Sequence, residues 1–302
     1  MKPSLPANGC PSANPRQSGD RQRRALIFAL LSVALWSTVA TGFKLGLREL
    51  APAQLLFLGC VIALAFFAAA RPFVRATLTP RQHLIAAAMG LLNPLAYYLV
   101  LLEAYDRLPA HIAQPLNFTW VIALAVLAIP VLGQRLSARG WTGVCVSYAG
   151  VVVLLTQGEF DDFGRFDPFG VALALSTSVI WAAYWLVTVR LGMHPVPLML
   201  NGFAVATVAV AAICWTTAGF PSLNPRVVGY GAWVGLVETG ITFVLWQRAL
   251  ALTDNAGRIG QLIFLSPFLS LVLIASVLGE TIHPSAVIAL AMIVGGLVLS
   301  RR

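Results

Sequence analysis

Residues 25–45 read ALIFALLSVALWSTVATGFKL, an apolar run whose first charge is Lys44. About 20 consecutive apolar residues are what an α-helix needs to cross the hydrocarbon core of a bilayer, so the run is read as a membrane span. A secretory signal is the competing reading, but its polar region would be unusually long and the run is itself long enough to span. The stretch before it, Met1–Arg24, is rich in Pro, Ser, Asn and Arg without apolar periodicity. It is expected to be a disordered cytoplasmic tail.

The pattern recurs outward from this run. Candidate spans cover 53–70, 84–103, 110–129 and 141–156, then 169–191, 196–217, 228–250, 256–278 and 285–300, joined by short loops. An all-α membrane protein of about ten transmembrane helices follows. Composition agrees, with 59% hydrophobic and 10% charged residues against about 45–50% and about 25% in soluble domains. A net charge of +9 could point to nucleic acid, but the basic residues are dispersed between apolar runs instead of gathering on one face, and no nucleic-acid partner is expected. Lys2 and Lys44 are the only lysines, and neither follows a glycine as a phosphate-binding loop requires. Cys10, Cys60, Cys145 and Cys214 form no close pair, and His83, His111, His194 and His283 form no metal-spaced pair. Neither a cofactor nor a metal is expected.

Loops alternate sides, and short cytoplasmic loops collect Lys and Arg. With the N-terminus inside, only Lys44, Arg48, Arg107, Arg165 and Arg226 of the 20 basic residues fall outside. Both termini are therefore placed in the cytoplasm. Self-comparison adds a duplication. Val131-Leu132-Gly133-Gln134 matches Val277-Leu278-Gly279-Glu280, and Gly150-Val151-Val152-Val153-Leu154 matches Gly296-Leu297-Val298-Leu299-Ser300 at the same offset. Leu35-Trp36-Ser37 answers Ile180-Trp181-Ala182 at an offset one residue shorter. A unit with an odd number of spans, about five, enters the membrane from opposite sides in its two copies, so the chain is read as two inverted repeats, 25–156 and 169–302.

Polar groups at mid-span point to function, because an acid at a helix centre costs about 2.5–3.5 kcal/mol on insertion scales. Glu238 sits mid-way along 228–250, and α-helical spacing would put Thr242 and Trp246 on its face; it is read as binding a substrate amine or a proton, the alternative being a protonated acid hydrogen-bonded between helices. Under the repeat, Glu238-Thr239-Gly240 corresponds to Leu92-Asn93-Pro94 at the middle of the third span, where Asn93 and Tyr97 share a face. Asn117 with Trp120, Trp181 with Trp185, and Gln261 with Phe264 and Phe268 make similar stripes. Any one aromatic could be an interfacial anchor, but Trp36, Trp120 and Trp181 fall well inside their spans. The candidate substrate-binding set is Trp36, Tyr97, Asn117, Trp120, Trp181, Trp185, Glu238, Thr242, Trp246 and Gln261. Gly143 and Gly150 are read as helix-contact residues.

The two halves, the Gly279-Glu280 signature and Ser266-Pro267-Phe268 resemble the EamA branch of the drug/metabolite transporter superfamily. Leu35-Trp36-Ser37-Thr38, Asn117-Phe118-Thr119-Trp120 and Ile180-Trp181-Ala182-Ala183-Tyr184 are similar to motifs of aromatic amino acid exporters. Gln134 stands where the signature has an acid, and Val121 follows Trp120 where a proline is expected. The resemblance implies a basket around a central cavity, with the fifth and tenth helices peripheral and Trp36, Tyr97, Asn117, Trp120, Trp181 and Trp246 facing the cavity. It also implies a multi-pass protein of a bacterial-type inner membrane that exports amino acids or related metabolites by alternating access. The expected partners are a small-molecule substrate and the lipid bilayer, and the expected state is a monomer. Cationic drugs, nucleobases or vitamins are the alternative cargo. An intramembrane enzyme would need paired acids or a metal site within the spans, and a membrane scaffold a sizeable soluble domain.

Overall fold

A computed structural model of the chain describes residues 15–132, 137–157, 159, 166–253 and 259–300. Among the described residues there is no strand, and nine helices are long and apolar enough to cross a membrane: α1 (Asp20–Leu47), α2 (Pro52–Phe73), α3 (Pro80–Arg107), α4 (Ala110–Val131), α5 (Ala138–Thr156), α6 (Pro168–Thr188), α7 (Pro195–Thr216), α8 (Pro225–Leu252) and α9 (Gln261–Leu278). A shorter apolar helix, α10 (Pro284–Leu299), completes the set. The chain is thus an all-α membrane protein of two five-helix repeats. Gln134 and most of the 159–167 loop lie outside the described residues.

Helix starts are written in local chemistry. Proline opens α2, α3, α6, α7, α8 and α10, where its missing N–H costs nothing. Before it stand capping side chains: Thr79 Oγ1 accepts from the Gln82 N–H at 3.3 Å, Asp167 Oδ1 from Phe169 at 3.0 Å and Asn224 Oδ1 from Val227 at 2.9 Å. The first helix extends upstream to Pro15, where the sequence reading expected disorder to Arg24. An i,i+4 pair between Asp20 and Arg24 at 3.2 Å and a 3.1 Å bond from Thr253 Oγ1 to Gln22 Oε1 line this extension. Residues 1–14 of the expected tail are outside the described residues.

The halves interlock through glycine. A Cβ on Gly90 of α3 would lie 2.3 Å from the Gly202 carbonyl of α7, and one on Gly235 of α8 would lie 2.6 Å from the Gly59 carbonyl of α2. Each repeat's third helix therefore packs on the second helix of the other repeat. The last helices pair as well: a Cβ on Gly150 would meet the Ala289 carbonyl at 2.8 Å and one on Gly296 the Gly143 carbonyl at 2.3 Å. Ser147 Oγ donates across this α5–α10 contact to the Ile293 carbonyl at 3.0 Å. Small residues let backbones approach where apolar side chains gain nothing over lipid. Outward flanks carry exposed Leu26, Leu30, Val208, Trp215, Val272 and Ile288, as lipid-facing helices should.

The inner helices are not regular. α1 breaks at Thr38 and α4 at Thr119. α3 opens into a wide π-type turn over Leu91–Ala96, where Pro94 cannot donate and Asn93 is extended (φ −146°, ψ 118°). α8 does the same over Trp233–Ile241, and α9 begins as a 3₁₀ turn over Gln261–Leu265. Such interruptions are tolerated at membrane depth where protein or a cavity takes up the freed backbone groups.

Candidate functional site

A cavity of about 550 Å³ lies where the interrupted helices meet, within the range of small-molecule sites. From α1 it takes Trp36, Val39, Ala40 and Phe43, one helical face carried across the turn at Thr38. The wide turn of α3 supplies Asn93, and the helix beyond it Tyr97, Tyr98, Leu101 and Tyr105. α4 adds Gln114, Asn117, Phe118, Trp120 and Leu124, α6 adds Trp181 and Trp185, and α7 adds Met199 and Phe203. Glu238, Thr239, Phe243, Trp246 and Leu250 of α8, with Gly260 and Ile263, close the ring. No described residue of α5 or α10 lines it.

Two groups of contacts shape the interior. Around Glu238, the Tyr98 hydroxyl donates to the carboxylate at 2.9 Å, and the Trp36 indole N–H donates to the Glu238 backbone carbonyl at 3.2 Å. That carbonyl belongs to the wide turn of α8, so an α1 side chain takes up backbone polarity released there. Trp36 meets Trp246 edge-on at 5.4 Å. Across the cavity, Trp181 is the hub of an aromatic wall, 4.6 Å from Tyr97, 6.4 Å from Trp120 and 6.1 Å from Trp185. Asn117 ties this wall together, its amide nitrogen donating to Thr177 Oγ1 at 2.8 Å and to Tyr97 Oη at 3.2 Å. The break at Thr119 is satisfied locally: Thr119 Oγ1 and Ser178 Oγ both donate to the Leu116 carbonyl, at 2.7 and 3.0 Å.

Three lining residues carry a polar atom that is buried away from the cavity space without a hydrogen-bond partner: Asn93 Oδ1, Gln114 Oε1 and Trp185 Nε1. Orphaned polar atoms are uncommon in a protein interior.

The two ends of the cavity differ. Toward the α1–α2 and α3–α4 turns the walls are buried, with Phe43 packed on Tyr98 and Tyr105 at 6.3 and 5.5 Å. Lys44 Nζ seals this end by donating to the Tyr105 and Leu108 carbonyls at 2.6 and 2.9 Å. Glu280 adds a second tie from the α9–α10 turn. Its carboxylate accepts the Ala110 and His111 backbone N–H groups at 2.9 and 3.1 Å and meets His111 Nδ1 at 2.6 Å, so it caps α4. Burial pushes the Glu280 carboxyl upward, but the His111 and Ala110 bonds outweigh it and hold the group below the usual carboxylate range. Gly279, at φ 70°, supplies the left-handed turn that delivers this acid. Toward the opposite end Leu124, Trp185, Leu250 and Ile263 are half-buried.

Of the candidate residues, Trp36, Tyr97, Asn117, Trp120, Trp181, Trp185, Glu238 and Trp246 line this cavity. Thr242 and Gln261 do not. The wide turn of α8 changes the register, so Thr239, Phe243, Trp246 and Leu250 form the cavity face, while Thr242 is buried with its hydroxyl bonded to the Val237 carbonyl. Gln261 is exposed, because the 3₁₀ turn at the start of α9 turns Gly260 and Ile263 inward instead. Tyr98 and Gln114 were missed. Each lies beside a residue with a more obvious polar or aromatic stripe, and neither is recognisable without knowing which helices are neighbours.

Residues 23–156 and 168–302 each match the EamA-like transporter family. The chain is 28% identical over 210 residues to the aromatic amino acid exporter YddG of Ancylobacter novellus, covering 66% of this chain and 70% of that protein. It is 29% identical over 245 residues to the threonine/homoserine exporter RhtA of Escherichia coli K12, covering 79% and 77%. A solved crystal structure at 24% identity superposes with a TM-score of 0.64, covering 92% of this chain and 98% of its own, and shares the fold.

Proposed function

Because the chain belongs to the EamA-like transporter family, we propose that it is a secondary exporter of small metabolites, amino acids foremost and aromatic ones included, working by alternating access. One observation carries the reading: a cavity of about 550 Å³ sits between the two repeats, lined by Trp36, Trp120, Trp181 and Trp246 and, among the described residues, by one acid, Glu238. One end is sealed by Phe43, Tyr105 and Lys44, as a site served from alternate sides of a membrane must be in any one state. Aromatic faces hold an amino group by cation–π contact worth about 0.5–2 kcal/mol each, and Asn117 positions Tyr97 and the α6 wall. The relatives named as exporters of aromatic amino acids and of threonine and homoserine support the cargo class. The protein acts as a monomer in a bacterial-type inner membrane.

Uptake of labelled amino acids into proteoliposomes tests the reading. The intact protein should transport at least one of them, and Trp120→Ala should cut the rate about tenfold, the loss of one aromatic wall contact in a tight site. No uptake of any amino acid by the intact protein would overturn it.

A further inference from the structure

A second hollow lies across α1 from the cavity. Val39, Ala40 and Phe43 of α1 line the cavity, whereas Gly42 and Leu45 floor a groove of about 450 Å³, walled by Gly229 and Trp233 of α8 and by Val277 of α9. Trp233, Val272 and Val277 are exposed, and exposed apolar side chains on spanning helices face lipid. From Arg226 at its mouth to Trp233 at its deep end the groove runs about 10 Å along α8, against about 15 Å for the hydrocarbon half of one leaflet. The hydroxyls of its floor are withdrawn: Thr38 Oγ1 donates to the Leu35 carbonyl and Thr41 Oγ1 is buried. Such a surface takes an apolar occupant.

Charge is confined to the mouth, where Arg226 is the only charged residue among the described lining. It is 75% exposed and meets Glu49 Oε1 of the α1–α2 turn at 3.1 Å, and the Tyr230 hydroxyl donates to the same oxygen at 3.3 Å. A guanidinium has five N–H donors and suits a phosphate, while the neighbouring acid suits a cation that can donate. We propose that the groove holds one acyl chain of a phospholipid whose ethanolamine headgroup spans this pair, its phosphate on Arg226 and its ammonium on Glu49. An ammonium brings three N–H donors to Glu49. A trimethylated choline brings none, and a glycerol headgroup leaves Glu49 beside an uncompensated phosphate. The part of α1 beyond the break at Thr38 is then held on two faces, with Phe43 and Lys44 sealing the cavity and the lipid bracing Leu45. The lipid therefore favours the state in which this end is closed. The site is separate from the cargo cavity, and its failure leaves the transport reading standing.

Native mass spectrometry of the purified protein tests this with phosphatidylethanolamine, phosphatidylcholine and phosphatidylglycerol of identical chains. One ethanolamine lipid should be retained about fivefold better than either of the others, the worth of one exposed ion pair. Glu49→Gln should remove its lead over phosphatidylcholine, and Arg226→Ala should weaken all three several-fold. A Cβ on Gly229 meets nothing within 4 Å, so Gly229→Leu fills the groove without displacing its walls and should release the lipid whatever its headgroup, with the melting temperature of delipidated protein unchanged. Parental retention in Gly229→Leu, or three lipids within about twofold of one another in the parent, would overturn the proposal. So would a two-copy species without lipid that Gly229→Leu dissociates. If Gly229→Leu fails to fold, Glu49→Gln decides, and an unchanged lead there overturns the headgroup assignment.

Discussion

Two symmetry-related helix pairs have been used in opposite ways. α5 and α10 are regular throughout their described lengths, meet through Gly143, Gly150 and Gly296, and contribute no described residue to the cavity. α3 and α8 occupy corresponding places in the repeats, yet both are interrupted at mid-membrane, and both present polar cavity residues, Asn93 and Glu238, at the interruption. Regular helices satisfy their own backbone and can be fixed against each other by close contact. Interrupted ones release backbone polarity that must be met from elsewhere, as Trp36 meets the Glu238 carbonyl. The contrast separates a frame from a working site. The two interruptions differ in chemistry, with an amide and a proline in one half and an acid in the other.

The largest expected effect comes from breaking the frame. Gly296→Val places a side chain 2.3 Å from the Gly143 carbonyl and 2.2 Å from Ser147 Oγ, with backbone on the opposing face. Overpacking of this kind costs about 1–3 kcal/mol, so the apparent melting temperature of the purified protein should fall, while transport per folded molecule stays near that of the parent. Equal melting temperatures would show that α5 and α10 are not held by close packing.

A smaller effect tests the joint between frame and working helices. Glu280 sits in the α9–α10 turn and holds α4 by three bonds. Glu280→Gln should destabilise by about 1–2 kcal/mol near neutral pH, since hydrogen bonds to a charged group are the stronger kind. The carboxyl is held below its ordinary range in the fold, so its contribution is complete above that range and is lost as pH falls through the folded value. The gap in melting temperature between the parent and Glu280→Gln should therefore close on acidification. A gap that is constant with pH would assign the cap to uncharged hydrogen bonding.

The frame was the more legible of the two regions. Span lengths, the repeat offset and the small residues of α5 could be read directly, because a helix in lipid satisfies its own backbone and needs only apolar length. Trp36, Trp120, Trp181 and Glu238 were also legible, since each breaks the expectation for its depth. What failed was register and partnership. Thr242 was placed by α-helical spacing through a turn that is not α-helical, and Gln261 by the same spacing through a 3₁₀ turn. Glu280 was visible as a signature, but its partners Ala110 and His111 lie 170 and 169 residues away, and nothing local announces that contact. The burial of the Asn93, Gln114 and Trp185 polar atoms follows from how the helices pack together and from no single helix.

Alternating access requires the working helices to move against the frame. Paired spin labels measure this directly in nanodiscs, with one pair across the closed end of the cavity, on the α3–α4 and α9–α10 turns, and one pair spanning α5 and α10. The account predicts that a transported ligand shifts the first pair between two distances while the second keeps one. A single unshifting distance for the first pair, in the presence of a ligand shown to cross the membrane, would contradict it.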